Sequence, residues 1–213
     1  MILFLDVISP KPKFFLIDNN KVIESLHILE KDYTRISDLI VKKFSILYRK
    51  YNFLTKLKYL IINSGPGSYT SLRVGMSFMI GLSYTNNIPI FGVSCSEFMK
   101  QFISKEKFYS TLLIIISSND QNFIFYNKNY DKNYYQISKI SEDKFIENIK
   151  IENFSTCVAN YTLPTLLKKK INSFNKKIEY INFEDLLKND FLKNLKIKNI
   201  IQPIYISDNK IFD

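Results

Sequence analysis

The sequence predicts a mixed α/β fold in two parts, on three observations. The first thirty residues alternate short aliphatic and aromatic runs with turn signals, which is how strands read. The period then changes: apolar residues at 36, 39, 40, 44, 47, 48 and 51 follow helical spacing, and strand-like and helix-like stretches alternate as far as residue 103. The second half begins again with strands. Strands followed by helix–strand alternation is the order of a mixed sheet covered by helices. The expected organisation is therefore a first lobe over 1–103 and a smaller, divergent lobe over 104–213, echoing one another in architecture without a residue-level repeat.

The elements follow in order. "ILFLDVI" (2–8), "KFFLID" (13–18) and "KVIESLHIL" (21–29) are strands separated by Ser9-Pro10-Lys11-Pro12 and by Asp18-Asn19-Asn20. The Asn-Asn connection predicts a tight hairpin. A helix over 34–51 leads to the strand "LKYLIIN" (57–63), a glycine-proline-glycine loop, and a helix over 70–84. Pro89 lies in the strand "IPIFGV"; Ser94 and Glu97 have capping-box spacing and open another helix. In the second half "STLLIIISS" (110–118) is a buried strand, with partners in "NFIFYN" (122–127) and "YYQIS" (134–138). Helices are expected after Ser141, after Thr162 and over 183–195.

Composition narrows the function. Hydrophobic content of 46% and charged content of 23% are ordinary for a globular chain. No apolar run approaches the roughly 18 residues of a membrane span, and "MILFLDVI" lacks the basic region of a signal peptide. The expected location is the cytoplasm, with no membrane partner. The net charge of +10 rests on 27 lysines and three arginines spread over the chain, so it argues only weakly for nucleic acid. Cys95 and Cys157 have neither disulfide nor metal spacing and are expected as buried thiols. The single histidine, His27, cannot build a two-histidine metal site, and no Ser-His-Asp or Cys-His arrangement exists without it. No catalytic residue and no metal ligand is expected; peptidase chemistry in particular lacks its ligands. Asp6, at the end of the first strand, and Asp120 are the carboxylates placed as functional ones would be.

The loop "SGPGSYTSLRVG" (64–75) holds three of the five glycines. Backbone amides at a helix start favour an anion. Ser68 or Thr70 can cap the helix, and Arg73 can meet a phosphate or carboxylate. The weak nucleotide-binding set is then Asp6, Gly65, Gly67, Ser68, Thr70 and Arg73, against the alternative of a structural turn. No lysine-serine/threonine follows the glycines, so this is not a P-loop, and the dinucleotide spacing is absent. The helix beyond it is apolar almost all round and carries no charge over 74–82. Such a helix needs cover on every side. Its own sheet and the 34–51 helix supply part; a neighbouring chain, admitted by Ser71, Gly75, Ser77 and Gly81 and met by the adaptable Met76 and Met79, is expected to supply the rest, the alternative being a purely internal core.

At "NSGPGSYTSLRVGMSFMIGLSYTNNIPIFGVSCSE" the chain closely resembles the TsaB family, bacterial subunits of the machinery that makes threonylcarbamoyladenosine in tRNA. Gly65, Pro66, Gly67, Ser68, Tyr69, Thr70, Leu72, Arg73, Gly75, Gly81, Ile88, Pro89, Gly92, Val93 and Ser94 match the family pattern in register. In the second half only "SSNDQNFIFY" and "QPIYIS" fit. The resemblance implies an actin-like, sugar-kinase-like (ASKHA) fold of two related lobes. It implies a non-catalytic scaffold that dimerises with a TsaD-like catalytic subunit, engages a TsaE-like ATPase and meets tRNA through the complex; a homodimer of the chain when alone is a further candidate, which the sequence leaves open. The helices carrying that contact correspond to 34–51 and 70–84. The candidate partner face is Arg35, Leu39, Ser71, Val74, Gly75, Phe78, Met79, Gly81 and Leu82. No cofactor is expected in the chain itself; ATP or ADP at a subunit interface is the candidate. Three departures bear on this. Asp6 is followed by Val7 where the family has threonine. The first helix has Arg35-Ile36 where the family has histidine-serine. Ser71 replaces a frequent glycine. An active phosphotransferase or ATPase of the same fold, and a stand-alone basic tRNA-binding protein, are the competing readings.

Overall fold

The computed structural model describes residues 1–29, 35–104, 107, 110–117, 122–127, 135–140, 154–181, 187, 202–207 and 210–212. The first half runs β1 (Ile2–Asp6), β2 (Lys13–Asp18), β3 (Lys21–His27), α1 (Ile36–Tyr51), a 3-10 turn (Leu54–Lys56), β4 (Tyr59–Asn63), α2 (Tyr69–Asn86), β5 (Ile90–Val93) and α3 (Cys95–Lys100). Its sheet has the order β3-β2-β1-β4-β5, antiparallel through β1–β3 and parallel across β1, β4 and β5. The second half supplies β6 (Thr111–Ile116), β7 (Asn122–Asn127), β8 (Tyr135–Ile140), β9 (Thr156–Ala159), α4 (Thr165–Ser173) and β10 (Lys177–Tyr180). Its sheet, β8-β7-β6-β9-β10, repeats the scheme strand for strand, antiparallel pairs first and parallel pairs after. A hairpin of β11 (Tyr205–Ser207) and β12 (Lys210–Phe212) follows.

Both faces of the first sheet are covered. Leu5 pairs with Phe14 and Phe4 with Phe15, so alternate residues point to opposite faces. Phe14 meets Phe44 of α1 and Phe78 of α2 at 6.1 and 5.8 Å between ring centroids, and those two rings meet at 5.2 Å. On the other face Phe4 stacks on Phe98 of α3 at 5.3 Å. Burying such side chains stabilises by roughly 1.5–3 kcal/mol each. In the second sheet Leu113, Ile115 and Val158 join the first lobe's core, while Leu112, Ile114, Cys157 and Ala159 pack with Leu167 and Ile171 of α4. The uninterrupted apolar run of β6 thus reflects burial on both faces.

The hairpin reading of Asn19-Asn20 holds: both residues have positive φ, 46° and 61°, as a type I′ turn requires. Ser94 caps α3 by accepting from the Glu97 amide at 3.2 Å. Several strand ends differ from the expectation by one or two residues, and at two of them hydrogen bonds show the cause. β1 stops at Asp6 because Asp6 Oδ1 accepts the amides of Ile8 (2.9 Å) and Ser9 (3.3 Å), which turns the chain out of the strand. β4 starts only at Tyr59, because the Leu57 amide is held by the 3-10 turn through Leu54 O. Asp120, the helix after Ser141 and most of 183–195 lie outside the described residues. Among the described residues no helix is long and apolar enough to cross a membrane.

Candidate functional site: the glycine loop, the cleft and the outer face of α2

The loop between β4 and α2 is a junction. Gly65 has φ +117°, a conformation open to glycine, and a Cβ there would lie 2.9 Å from the carbonyl oxygen of Ile204. The Ile204 amide donates to Ser64 O at 2.8 Å. Gly67 is an ordinary turn residue by φ, yet its Cβ would lie 2.6 Å from Ile8 Cδ1 and 3.3 Å from Ser117 Oγ. The Ser68 amide donates to that same Ser117 Oγ at 3.1 Å, and the Gly65 amide to Asn63 Oδ1 at 3.3 Å. The peptide bond between Gly65 and Pro66 is cis.

The surroundings of Gly65, Gly67 and Ser68 are those of the structural-turn alternative. These residues are buried, and the Gly65 and Ser68 amides are already engaged. Ser68 occupies the N-cap position of α2, but its side chain accepts no capping bond. Thr70 and Arg73 are exposed, and the Arg73 guanidinium lies 3.8 Å over the Tyr69 ring, itself 4.7 Å from the Tyr205 ring. Sequence reasoning did not find Ser117, Ile204 and Tyr205. The fits of "SSNDQNFIFY", which begins at Ser117, and of "QPIYIS", which contains Ile204 and Tyr205, are the signals that pointed to them.

Asp6 lies elsewhere, in a cleft of about 420 Å³ between the two sheets. Ser9, Lys11, Lys13 and His27 line it from the first lobe, and Asn160, Tyr161, Thr162 and Tyr180 from the second. Burial pushes the Asp6 carboxyl above the usual carboxylate range, against the opposing pull of its bonds to Ser9 and Ile8 and of the Lys13 charge. Asn160 is committed to the fold: its side chain accepts from the Ile116 amide at 2.7 Å and donates to Ile116 O at 3.0 Å. Both cysteines are buried, and burial raises both thiols, Cys157 to about 11. They have the character of packed side chains. Among the described residues no three of His, Cys, Asp and Glu come together as a metal site would need.

Helix α2 has two faces. Ser71, Leu72, Gly75, Met76 and Met79 are buried inward, and a Cβ on Gly75 would meet Val7 Cγ1 at 2.6 Å. Outward lie Tyr69, Arg73, Ser77, Ile80 (47% exposed), Gly81 and Tyr84 (89% exposed). A Cβ on Gly81 would meet nothing within 4 Å. On α1, Val41 (60% exposed) and Tyr48 sit one face apart from the buried Ile40 and Leu47 and flank Phe44, which touches Phe78. Of the expected partner residues, then, Arg35 and Gly81 are exposed, and Leu39, Val74, Phe78 and Leu82 are half-buried. Ser71, Gly75 and Met79 are corrected to the chain's own core, because the helix lays that stripe on the first sheet at β4 and β5, with Gly75 against Val7 and Ile62.

Comparison with known proteins agrees with this architecture. The family model for TsaD, tRNA N6-adenosine threonylcarbamoyltransferase, matches residues 51–204. The tRNA threonylcarbamoyladenosine biosynthesis protein TsaB of Buchnera aphidicola subsp. Acyrthosiphon pisum (strain APS) is 28% identical over 208 residues, covering 89% of this chain and 87% of its own. A crystal structure of an uncharacterized protein with similarity to peptidase YeaZ from Pseudomonas aeruginosa superposes over 97% of this chain and 99% of its own, with a TM-score of 0.56 at 11% identity. YeaZ from Pseudomonas aeruginosa covers 64% of this chain, which spans 66% of it, with a TM-score of 0.45 at 14% identity. The duplicated strand order is that of the actin-like, sugar-kinase-like (ASKHA) fold. The chain belongs to the TsaD family of threonylcarbamoyltransferase-like proteins and, within it, is a TsaB/YeaZ-like protein.

Proposed function

We propose that this chain serves threonylcarbamoyladenosine biosynthesis in tRNA as a non-catalytic scaffold, pairing through α1 and α2 with a TsaD-like catalytic subunit. A TsaE-like ATPase and the tRNA join through that complex in the cytoplasm, ATP or ADP sits at a subunit interface, and the chain pairs with itself when alone. The observation that carries the reading is the outer face of α2. Ile80 and Tyr84 stand exposed beside Gly81, whose missing side chain answers to nothing among the described residues. Apolar and aromatic residues around a small one suit the close approach of another helix. The name of the TsaB relative supports the pathway.

The test is co-purification with a TsaD-like protein and a modification assay on unmodified tRNA, with and without this chain. Ile80→Asp and Gly81→Leu, both on the outer face, are expected to weaken pairing at least about 100-fold, near 2.7 kcal/mol, with helix content unchanged. Pairing at wild-type affinity in both variants would exclude α2 as the contact.

A second reading has one observation behind it. Asp6, Lys11 and Lys13 in the cleft are the groups an ATPase or phosphotransferase would use toward a phosphate ester. ATP turnover by the purified chain, lost in Asp6→Asn, would select that reading over the scaffold.

A further inference from the structure

We infer that the glycine loop is an interlobe latch, closed by Ser117 from the second sheet and by the C-terminal segment 202–207, and that it holds the two lobes at one fixed separation. Three independent contacts converge on five residues of loop. Ser117, directly after β6, accepts the Ser68 amide at 3.1 Å and stands beside Ile8 over Gly67, where a Cβ would lie 3.3 Å from its Oγ. Ile204 occupies the side-chain position of Gly65 and donates its amide to Ser64 O at 2.8 Å. Tyr205 packs on the first lobe's core and, through the 4.7 Å contact with Tyr69 and the Arg73 guanidinium beyond it, braces the first turn of α2.

The same segment touches the second lobe. β11 lies alongside β8, at the edge of the second sheet. The segment therefore spans from the glycine loop to the far sheet, tying the start of α2 to both. The loop is built for this close approach: Gly65 lacks the side chain that would hold Ile204 away, and Gly67 lacks one that would crowd Ile8 and Ser117. With the loop seated in this way, the cleft beside Asp6, whose walls come from both lobes, has a set width rather than one that a ligand must close. The start of α2 is likewise set by residues of the second half of the chain.

Full-length variants test this. Tyr205→Ala removes the ring that braces Tyr69, Tyr205→Phe keeps it, and Ile204→Pro removes the amide that reaches Ser64. Spin labels on Lys42→Cys of α1 and Asn172→Cys of α4, both exposed while Cys95 and Cys157 are buried, report the lobe separation by electron–electron distance measurement. The wild-type and Tyr205→Phe chains are expected to give one narrow distance distribution. Tyr205→Ala and Ile204→Pro are expected to broaden it, with exchange of the 69–76 backbone amides about ten-fold faster while the β1 and β4 amides keep their protection. An unchanged distribution and unchanged exchange in both variants would overturn the latch. So would a uniform rise in exchange over the whole first sheet, which would mark Tyr205 as ordinary core.

Discussion

Gly75 and Gly81 sit on one helix, six positions apart, and their surroundings are opposite. Gly75 is pressed against Val7 and Ile62, and its missing side chain lets α2 settle onto the first sheet. Gly81 faces open space. A glycine inside a helix costs about 0.5–1 kcal/mol relative to alanine. At Gly75 close packing against Val7 and Ile62 offsets that cost within the chain. At Gly81 nothing among the described residues does, and on the proposed function the offset would come from a partner helix. The difference separates the α2 residues that fold the lobe from those free to meet something else.

The comparison breaks most visibly at Gly75. Gly75→Ala places a Cβ at 2.6 Å from a β-branched, buried Val7, and overpacking of this kind costs about 1–3 kcal/mol. Thermal unfolding should fall by several degrees, read by circular dichroism. Gly81→Ala is the sharper test, because its two effects carry opposite signs. With nothing in the way, the isolated chain should gain about 0.5–1 kcal/mol and a melting temperature about 1–4 °C higher. Pairing with a TsaD-like subunit should weaken in the same variant, read by titration calorimetry. A lower melting temperature would mean Gly81 has an internal role after all.

The smallest effect concerns how α1, the other half of the outward surface, is tethered. Glu24 of β3 accepts from Lys50 and, at 2.6 Å, from the Tyr51 hydroxyl. The Lys50 bond first, then Tyr51, holds the Glu24 carboxyl below its usual range. A carboxylate with a lowered folded pKa contributes stability that is present above its unfolded pKa, near 4.5, and is lost as pH falls through the folded value. Glu24→Gln should therefore cost at most about 1 kcal/mol at pH 7, since the pair is at the surface. It should also flatten the acid side of the stability profile, below about pH 5. A profile with unchanged slope there would show that the tether contributes nothing.

Local structure in the first lobe was largely legible. Strand runs, the Asn19-Asn20 hairpin, the period change into α1 and the Ser94 cap all rest on neighbours in the chain. What escaped was set at long range. A wheel apolar on all sides cannot say which stripe of α2 meets the sheet, and it is β4 and β5 that take Ser71, Gly75 and Met79 into the core. At Gly65 and Gly67 a phosphate cradle and a structural turn both stay open in the sequence, because Ser117 and Ile204, which pack against the loop, lie far along the chain. A glycine-poor composition added its own disguise. Five left-handed positions, 19, 20, 52, 87 and 175, are filled by asparagine rather than glycine. Among the glycines of the loop and α2, only Gly65 has positive φ, so Gly67 and Gly75 mark missing volume rather than unusual backbone.

The bond from Ile204 to Ser64 also orders events during synthesis. The residues of β1 to β5 are all made by position 93 and can pair as soon as they emerge. The loop between them waits for a residue 204 − 64 = 140 positions later. At roughly 5–20 residues per second that delay is about 7–28 s. Throughout it the nascent first lobe carries an unfinished loop at the start of α2, beside the surface on which a partner would land. Any subunit that joins before residue 204 is made meets a helix whose first turn is not yet braced.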